Sequence, residues 1–257
     1  MVGWYYSITA AWGPRPETPA EVGEEWLKGF DAISRIGPGF AGWRMYGAAG
    51  PRLLPMDQFR QQMTQIVETR VMKDDWRKPA PDEGYNICAT TAAQESDEPT
   101  MSSSEFWTES KLGSQWKNFM WLTMGGIGRA GDLSAIRYPE MKALVWAVAS
   151  NWNTPWANAG IQSSTITPLD EPFEYSFPDA PRYQDRQCYG RPWIGYLSAE
   201  RTAGLVTPSA LHSERTPDGG MLISATTDQF DPENPDQLAL SRLLSDIMLE
   251  RGGDPRI

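Results

Sequence analysis

Trp4-Tyr5-Tyr6-Ser7-Ile8-Thr9-Ala10-Ala11-Trp12 places an apolar residue at every even position, with polar Ser7 and Thr9 between them. A two-residue period predicts a half-buried β-strand, because successive side chains leave a strand on opposite faces. Gly13, Pro14 and Pro16 end it, since proline gives no ladder donor and restricts the residue before it. Thr18-Pro19-Ala20-Glu21 then reads as a capping box with proline at the first helical position. Val22, Trp26, Phe30 and Ile33, with Leu27 beside them, form one helical stripe. Arg35 falls in the last turn, Gly37 is placed to adopt a left-handed cap, and Pro38 stops any continuation.

Outward from this unit, residues 47–55 read as a Gly/Pro loop, and Asp57 as the cap of a helix to about Val71. Phe59, Met63, Ile66 and Val67 would be its inner side. A polar connector over 73–84 leads to a strand over 85–92 and then to an acidic, loop-like stretch over 94–105. Strands are predicted over 116–124, 159–167, 191–198 and 221–227, the last after an Asp218-Gly219-Gly220 turn. Helices are predicted over 139–152, with Met141, Leu144, Val145 and Val148 inward, and from Pro235 to Gly252. The buried face of the latter would be Leu240, Leu243, Leu244, Ile247 and Met248. Residues 170–186 hold three prolines and read as a long loop. Strands often succeed one another without a helix of crossover length. The expectation is therefore an α+β fold, a mixed or mainly antiparallel sheet with about four helices packed on it, in one domain spanning 1–257.

The chain has 257 residues, 40% of them hydrophobic and 22% charged, which is ordinary globular composition. No apolar run approaches the roughly 18 residues of a membrane span, and the N-terminus does not read as a secretory signal. Cys88 and Cys188 form no C-x-x-C pair and read as reduced, buried thiols, so the expected compartment is the cytoplasm. The net charge of −10 and the absence of a basic cluster argue against direct binding to nucleic acid.

Catalytic signals are weak. Gly126-Ile127-Gly128-Arg129-Ala130-Gly131 matches G-x-G-x-x-G, but lacks both the following long helix and the acidic residue about 20 positions on that a dinucleotide site needs. His212 is the one histidine, with no nucleophile elbow, no H-E-x-x-H and no second imidazole; an exposed loop position is expected. The adjacent acids Glu24/Glu25, Asp74/Asp75, Asp97/Glu98 and Asp170/Glu171 read as solvated surface pairs. Among twelve tryptophans, Trp4, Trp12, Trp26, Trp116, Trp121, Trp146 and Trp193 fall at core positions, whereas Trp107, Trp152 and Trp156 fall in less regular stretches. No catalytic, cofactor or metal constellation emerges, and the chain does not read as an enzyme.

Two patches carry a family resemblance. Tyr5-Tyr6, then Trp12-Gly13-Pro14-Arg15-Pro16-Glu17, a helix, and Pro38-Gly39-Phe40-Ala41-Gly42-Trp43 make the first. Gly219-Gly220-Met221-Leu222-Ile223-Ser224 running into Phe230-Asp231-Pro232-Glu233-Asn234-Pro235 and a closing helix make the second. Together they resemble the immunity protein 52 family, bacterial proteins encoded beside secreted antibacterial toxins such as those of type VI secretion. Residues 57–192 contribute nothing to the likeness. The resemblance implies a cytoplasmic protein that binds and silences a cognate toxin, usually a metal-dependent nuclease of the restriction-endonuclease fold with a basic cleft. Three acidic groups would answer such a cleft: Glu95, Asp97 and Glu98; Asp170, Glu171 and Glu174; and Asp228, Asp231 and Glu233 with Asp236. Asp231 or Asp236 could instead cap the last helix, and Trp107 would serve as an anchor. The alternative is a Trp-rich hydrolase or carbohydrate-binding protein using paired carboxylates.

Overall fold

The computed structural model describes residues 4–13, 15–49, 52–73, 76–80, 84–91, 104–110, 118–124, 134, 136–163 and 191–252. Within them lie ten strands: β1 (Trp4–Trp12), β2 (Arg44–Tyr46), β3 (Leu53–Pro55), β4 (Tyr85–Thr90), β5 (Ser104–Ser110), β6 (Asn118–Met124), β7 (Trp156–Ser163), β8 (Arg191–Leu197), β9 (His212–Arg215) and β10 (Met221–Ser224). They form one sheet in the order β3-β2-β4-β5-β6-β1-β7-β8-β10-β9. Every neighbouring pair runs antiparallel. The helices are α1 (Pro19–Ser34), α2 (Met56–Phe59), α3 (Met63–Thr69), α4 (Tyr138–Asn151) and α5 (Pro235–Gly252). The expected α+β class holds, and the sheet is antiparallel.

The opening strand is central, and that changes its reading. Tyr6, Ile8 and Ala10 stand opposite Met124, Leu122 and Met120 on one side and Ile161, Ala159 and Ala157 on the other. That apolar face meets α4, where the Trp146 ring lies 5.9 Å from Tyr196 of β8. The strand is not half-buried, because the polar alternates are covered too: Ser7 is 2% exposed and Thr9 4%. Their face continues through Asn158 to Gly195, where Met248 of α5 packs, and the Ser241 hydroxyl donates to the Pro192 carbonyl at 2.7 Å. With Thr123, which pairs with Ser7, and Asn158, which pairs with Thr9, the polar residues form a buried band across three strands.

Helix α1 starts as its sequence demands. Thr18 Oγ1 accepts from the Glu21 amide, the Glu21 carboxylate accepts from the Thr18 amide, and Pro19 opens the first turn. Its stripe builds an aromatic core: Trp26 stands edge-on to Trp152 at 6.3 Å, and Phe30 meets Trp43 at 5.1 Å and Phe59 at 5.6 Å. Gly29 permits the approach, since a Cβ there would lie 2.2 Å from the Trp152 ring. Trp152 and Trp156 are therefore core residues, 1% and 4% exposed, whereas Trp76 stands in solvent at 82%.

Other expectations are corrected. Gly37 has φ −177°, an extended conformation; α1 closes at Arg35 in the right-handed region, and Gly37 instead precedes the 3-10 turn Pro38–Phe40. The second helix begins at Met56 behind Pro55, not at an Asp57 cap, and a 3-10 turn over Arg60–Gln62 divides it into α2 and α3. Phe59, Met63, Ile66 and Val67 are nonetheless buried as expected. The 47–55 loop contains β3, and 94–105 runs into β5, so Trp107 belongs to a strand. On α5 the buried face is Ser241, Leu244, Ser245, Ile247 and Met248, with Leu240 and Leu243 partly buried beside it.

Candidate functional site

The segment between β10 and α5 brings together the one acidic group that falls wholly within the described residues. From Gln229 to Glu233 the chain alternates: Phe230 and Pro232 are buried, while Gln229, Asp231 and Glu233 are exposed. The inward residues pin it. Phe230 packs on Trp193 with ring centroids 6.3 Å apart, and Trp193 Nε1 donates to the Thr226 carbonyl at 3.0 Å. Arg191, 7% exposed, donates to the Pro232 carbonyl, and Gln229 Nε2 donates to the Tyr6 hydroxyl on β1.

The outward residues are held in turn. Asp231 Oδ1 accepts from the Glu233 amide at 2.9 Å, and the Asp231 amide donates to Gln237 Oε1 at 2.7 Å. Asn234, not Asp231 or Asp236, caps α5: its Oδ1 accepts from the amides of Asp236 and Gln237. The Asp228 and Glu233 carboxylates have no ion-pair partner among the described residues. They point to solvent from a backbone that is already ordered, so little chain entropy is lost when a partner meets them.

The remaining partner candidates are not brought to this loop by anything described. Glu95, Asp97, Glu98, Asp170, Glu171 and Glu174 lie outside the described residues, as do Gly126–Gly131, Asp74, Asp75 and Cys188. Trp107 sits opposite Cys88 and Trp121 in the strand register, and its side chain is not described. Of the carboxylate pairs, Glu24 reaches outward to Lys28 at 2.8 Å, whereas Glu25 turns inward beside Arg15 at 3.7 Å. Arg15 also lies over the Trp12 ring, donates to the Trp152 carbonyl and approaches Glu17 at 3.8 Å. Burial pushes the Glu25 carboxyl up to about 7, with Arg15 and Lys28 opposing and Glu17 reinforcing.

Sequence reading missed a groove between α4 and the β9–β10 hairpin. His212 is exposed as expected, but on an edge strand rather than a loop. One lobe, about 270 Å³, is lined by Tyr138, Lys142, His212, Ser213, Glu214, Leu222, Ser224 and Thr227. A second, about 340 Å³, adds Ala143, Trp146, Arg215, Thr216 and Pro217. Lys142 crosses between the walls to Glu214 at 2.8 Å, and that hydrogen bond raises the lysine's pKa. Tyr138, Lys142 and Trp146 recur every four residues on α4, a spacing that signals one helix face, though nothing in the sequence says what it faces.

Among the described residues, no cluster of His, Cys, Asp and Glu could hold a metal ion, and no helix is long and apolar enough to cross a membrane. No protein-family model matches the sequence, and comparison with curated proteins finds no match. Among solved structures the fold is similar to that of a Pseudomonas aeruginosa T6SS protein, PA0821, with a TM-score of 0.59 and 15% identity. The likeness covers 97% of this chain and 79% of that one, and at this identity it establishes a shared fold.

Proposed function

We propose that this chain is an immunity protein: it binds a secreted antibacterial toxin encoded beside it and neutralises it stoichiometrically. The observation that carries the reading is that one of the two sequence patches resembling the immunity protein 52 family, Gly219–Ser224 with Phe230–Pro235, builds the hairpin and the pinned acidic loop. A fold shared with a T6SS protein over nearly the whole chain is compatible with it.

A toxin that cleaves nucleic acid must hold phosphates in a positive cleft. A protein of net charge −10 is steered towards such a cleft, and an ordered acidic loop occupies it at low entropic cost. Close apolar packing around the loop would then set the slow dissociation. The test is co-expression with the adjacent toxin gene, followed by affinity purification at low and high salt. Rescue of growth and a 1:1 complex weakened by salt are expected; neither rescue nor a complex would overturn the proposal.

A further inference from the structure

The sheet ends on β9, whose four residues His212, Ser213, Glu214 and Arg215 are all exposed. The phase of its hydrogen bonding follows from the turn. The Thr216 amide donates to the Gly220 carbonyl at 3.0 Å and Gly219 to Thr216 at 2.9 Å, with Gly219 at φ +86°. Antiparallel ladders alternate bonded and non-bonded pairs. Glu214 with Leu222 and His212 with Ser224 are thus bonded pairs, and the N–H and C=O groups of Ser213 and Arg215 point away from β10. No described residue bonds to that outer edge.

The edge is also stiff. The Asp218 carboxylate accepts from Thr216 Oγ1, the Gly220 amide and the Tyr196 hydroxyl, which locks the turn to β8. An unpaired, rigid strand edge is a template for another strand, and here a groove runs along its inner face. Glu214 sits in that groove with its side chain 62% exposed; Lys142 meets it from the α4 wall, leaving its outer flank open to a second cation.

We propose that β9 is where the partner toxin docks, by adding an extended antiparallel segment to the sheet. This rests on the toxin-binding reading above. The geometry specifies the segment. Residues opposite each other share a face, so a lysine or arginine opposite Glu214 completes a cross-strand ion pair. Two residues earlier, opposite Thr216, a large apolar side chain enters the lobe formed by Trp146, Pro217 and Leu222. A second copy of this chain fits worse: self-pairing centred on Glu214 sets two carboxylates opposite each other, between molecules of net charge −10.

The probe is the toxin encoded beside the gene, with the full chain and its Ser213→Pro variant. Proline removes one outward N–H that β10 does not use, a substitution edge strands tolerate. Binding weaker by a few-fold to about tenfold is expected, the loss of one main-chain hydrogen bond, with an unchanged melting temperature. On the unaltered protein, amide hydrogen exchange at Ser213 and Arg215 should slow when toxin is added, a readout independent of whether the variant folds. Equal binding by Ser213→Pro with unprotected amides would overturn the docking mode while leaving the toxin-binding reading standing. So would a self-association lost in Ser213→Pro with toxin affinity unchanged. Failure of the unaltered chain to bind toxin sinks both.

Discussion

Glu25 is the residue whose environment departs most from what its neighbours in sequence announce. Its folded pKa of about 7 lies above the ordinary carboxyl value of 4.5, so between those values the native state holds a proton that the unfolded chain has released. Stability therefore falls as pH rises from 4.5 to about 7, and is level above it. Glu25→Gln, neutral throughout, should flatten that slope and gain about 1–2 kcal/mol at pH 8 after discounting for partial exposure, as read from urea midpoints across pH. A slope unchanged in the variant would show that Glu25 is not its source. Gly29 is equally particular: Gly29→Ala drives a methyl into the Trp152 ring and should cost about 1–3 kcal/mol in the same measurement. Neither effect was legible. Glu24 and Glu25 are adjacent identical letters, and what separates them is burial: Glu24 reaches out to Lys28, while Glu25 turns inward, where desolvation outweighs the Arg15 guanidinium beside it. Gly29 sits quietly within a helical stripe until Trp152, expected at the less regular end of a helix, closes over it.

At the scale of elements, legibility followed length and punctuation. Helix α1 declares itself through cap, proline and stripe, and Thr18→Ala should cost about 1 kcal/mol of stability by unfolding midpoint. The Asp218-Gly219-Gly220 turn is also readable, and Gly219→Ala, forced to keep φ near +86°, should cost a similar ~1 kcal/mol. What escapes a sequence reading is short or rich in polar residues. β2 and β3 are three residues each, β9 is four exposed polar residues, and β5 flanks its adjacent Phe106 and Trp107 with serine, glutamate and threonine. Such strands exist because a neighbour offers a ladder, which no local pattern records. β1 was recognised but misplaced: alternation marks two chemically different faces, not one wet and one dry, and here the polar face is buried against its own kind.

For the whole molecule, charge and topology matter together. Of the ten acids in those three groups, Asp228, Asp231, Glu233 and Asp236 come into view, and Asp231 is partly engaged in its own turn. Asp228→Asn with Glu233→Gln should slow association with a basic toxin several-fold at low salt, with the difference closing near 0.5 M, where screening is short-ranged. Stopped-flow mixing at two salt concentrations decides it; an equal deficit at both would mean contact rather than steering. The class of fold was foreseeable from strands that follow one another directly, but the place of β9 at the sheet's rim was not, because strand order depends on pairings distant in sequence. Gln229 reaches back to Tyr6, 223 positions earlier in the chain. The acidic loop thus takes its shape from a contact between β1 and a segment far along the chain. Until those two distant segments have met there is no such loop, so a partner that reads it would read only finished folds.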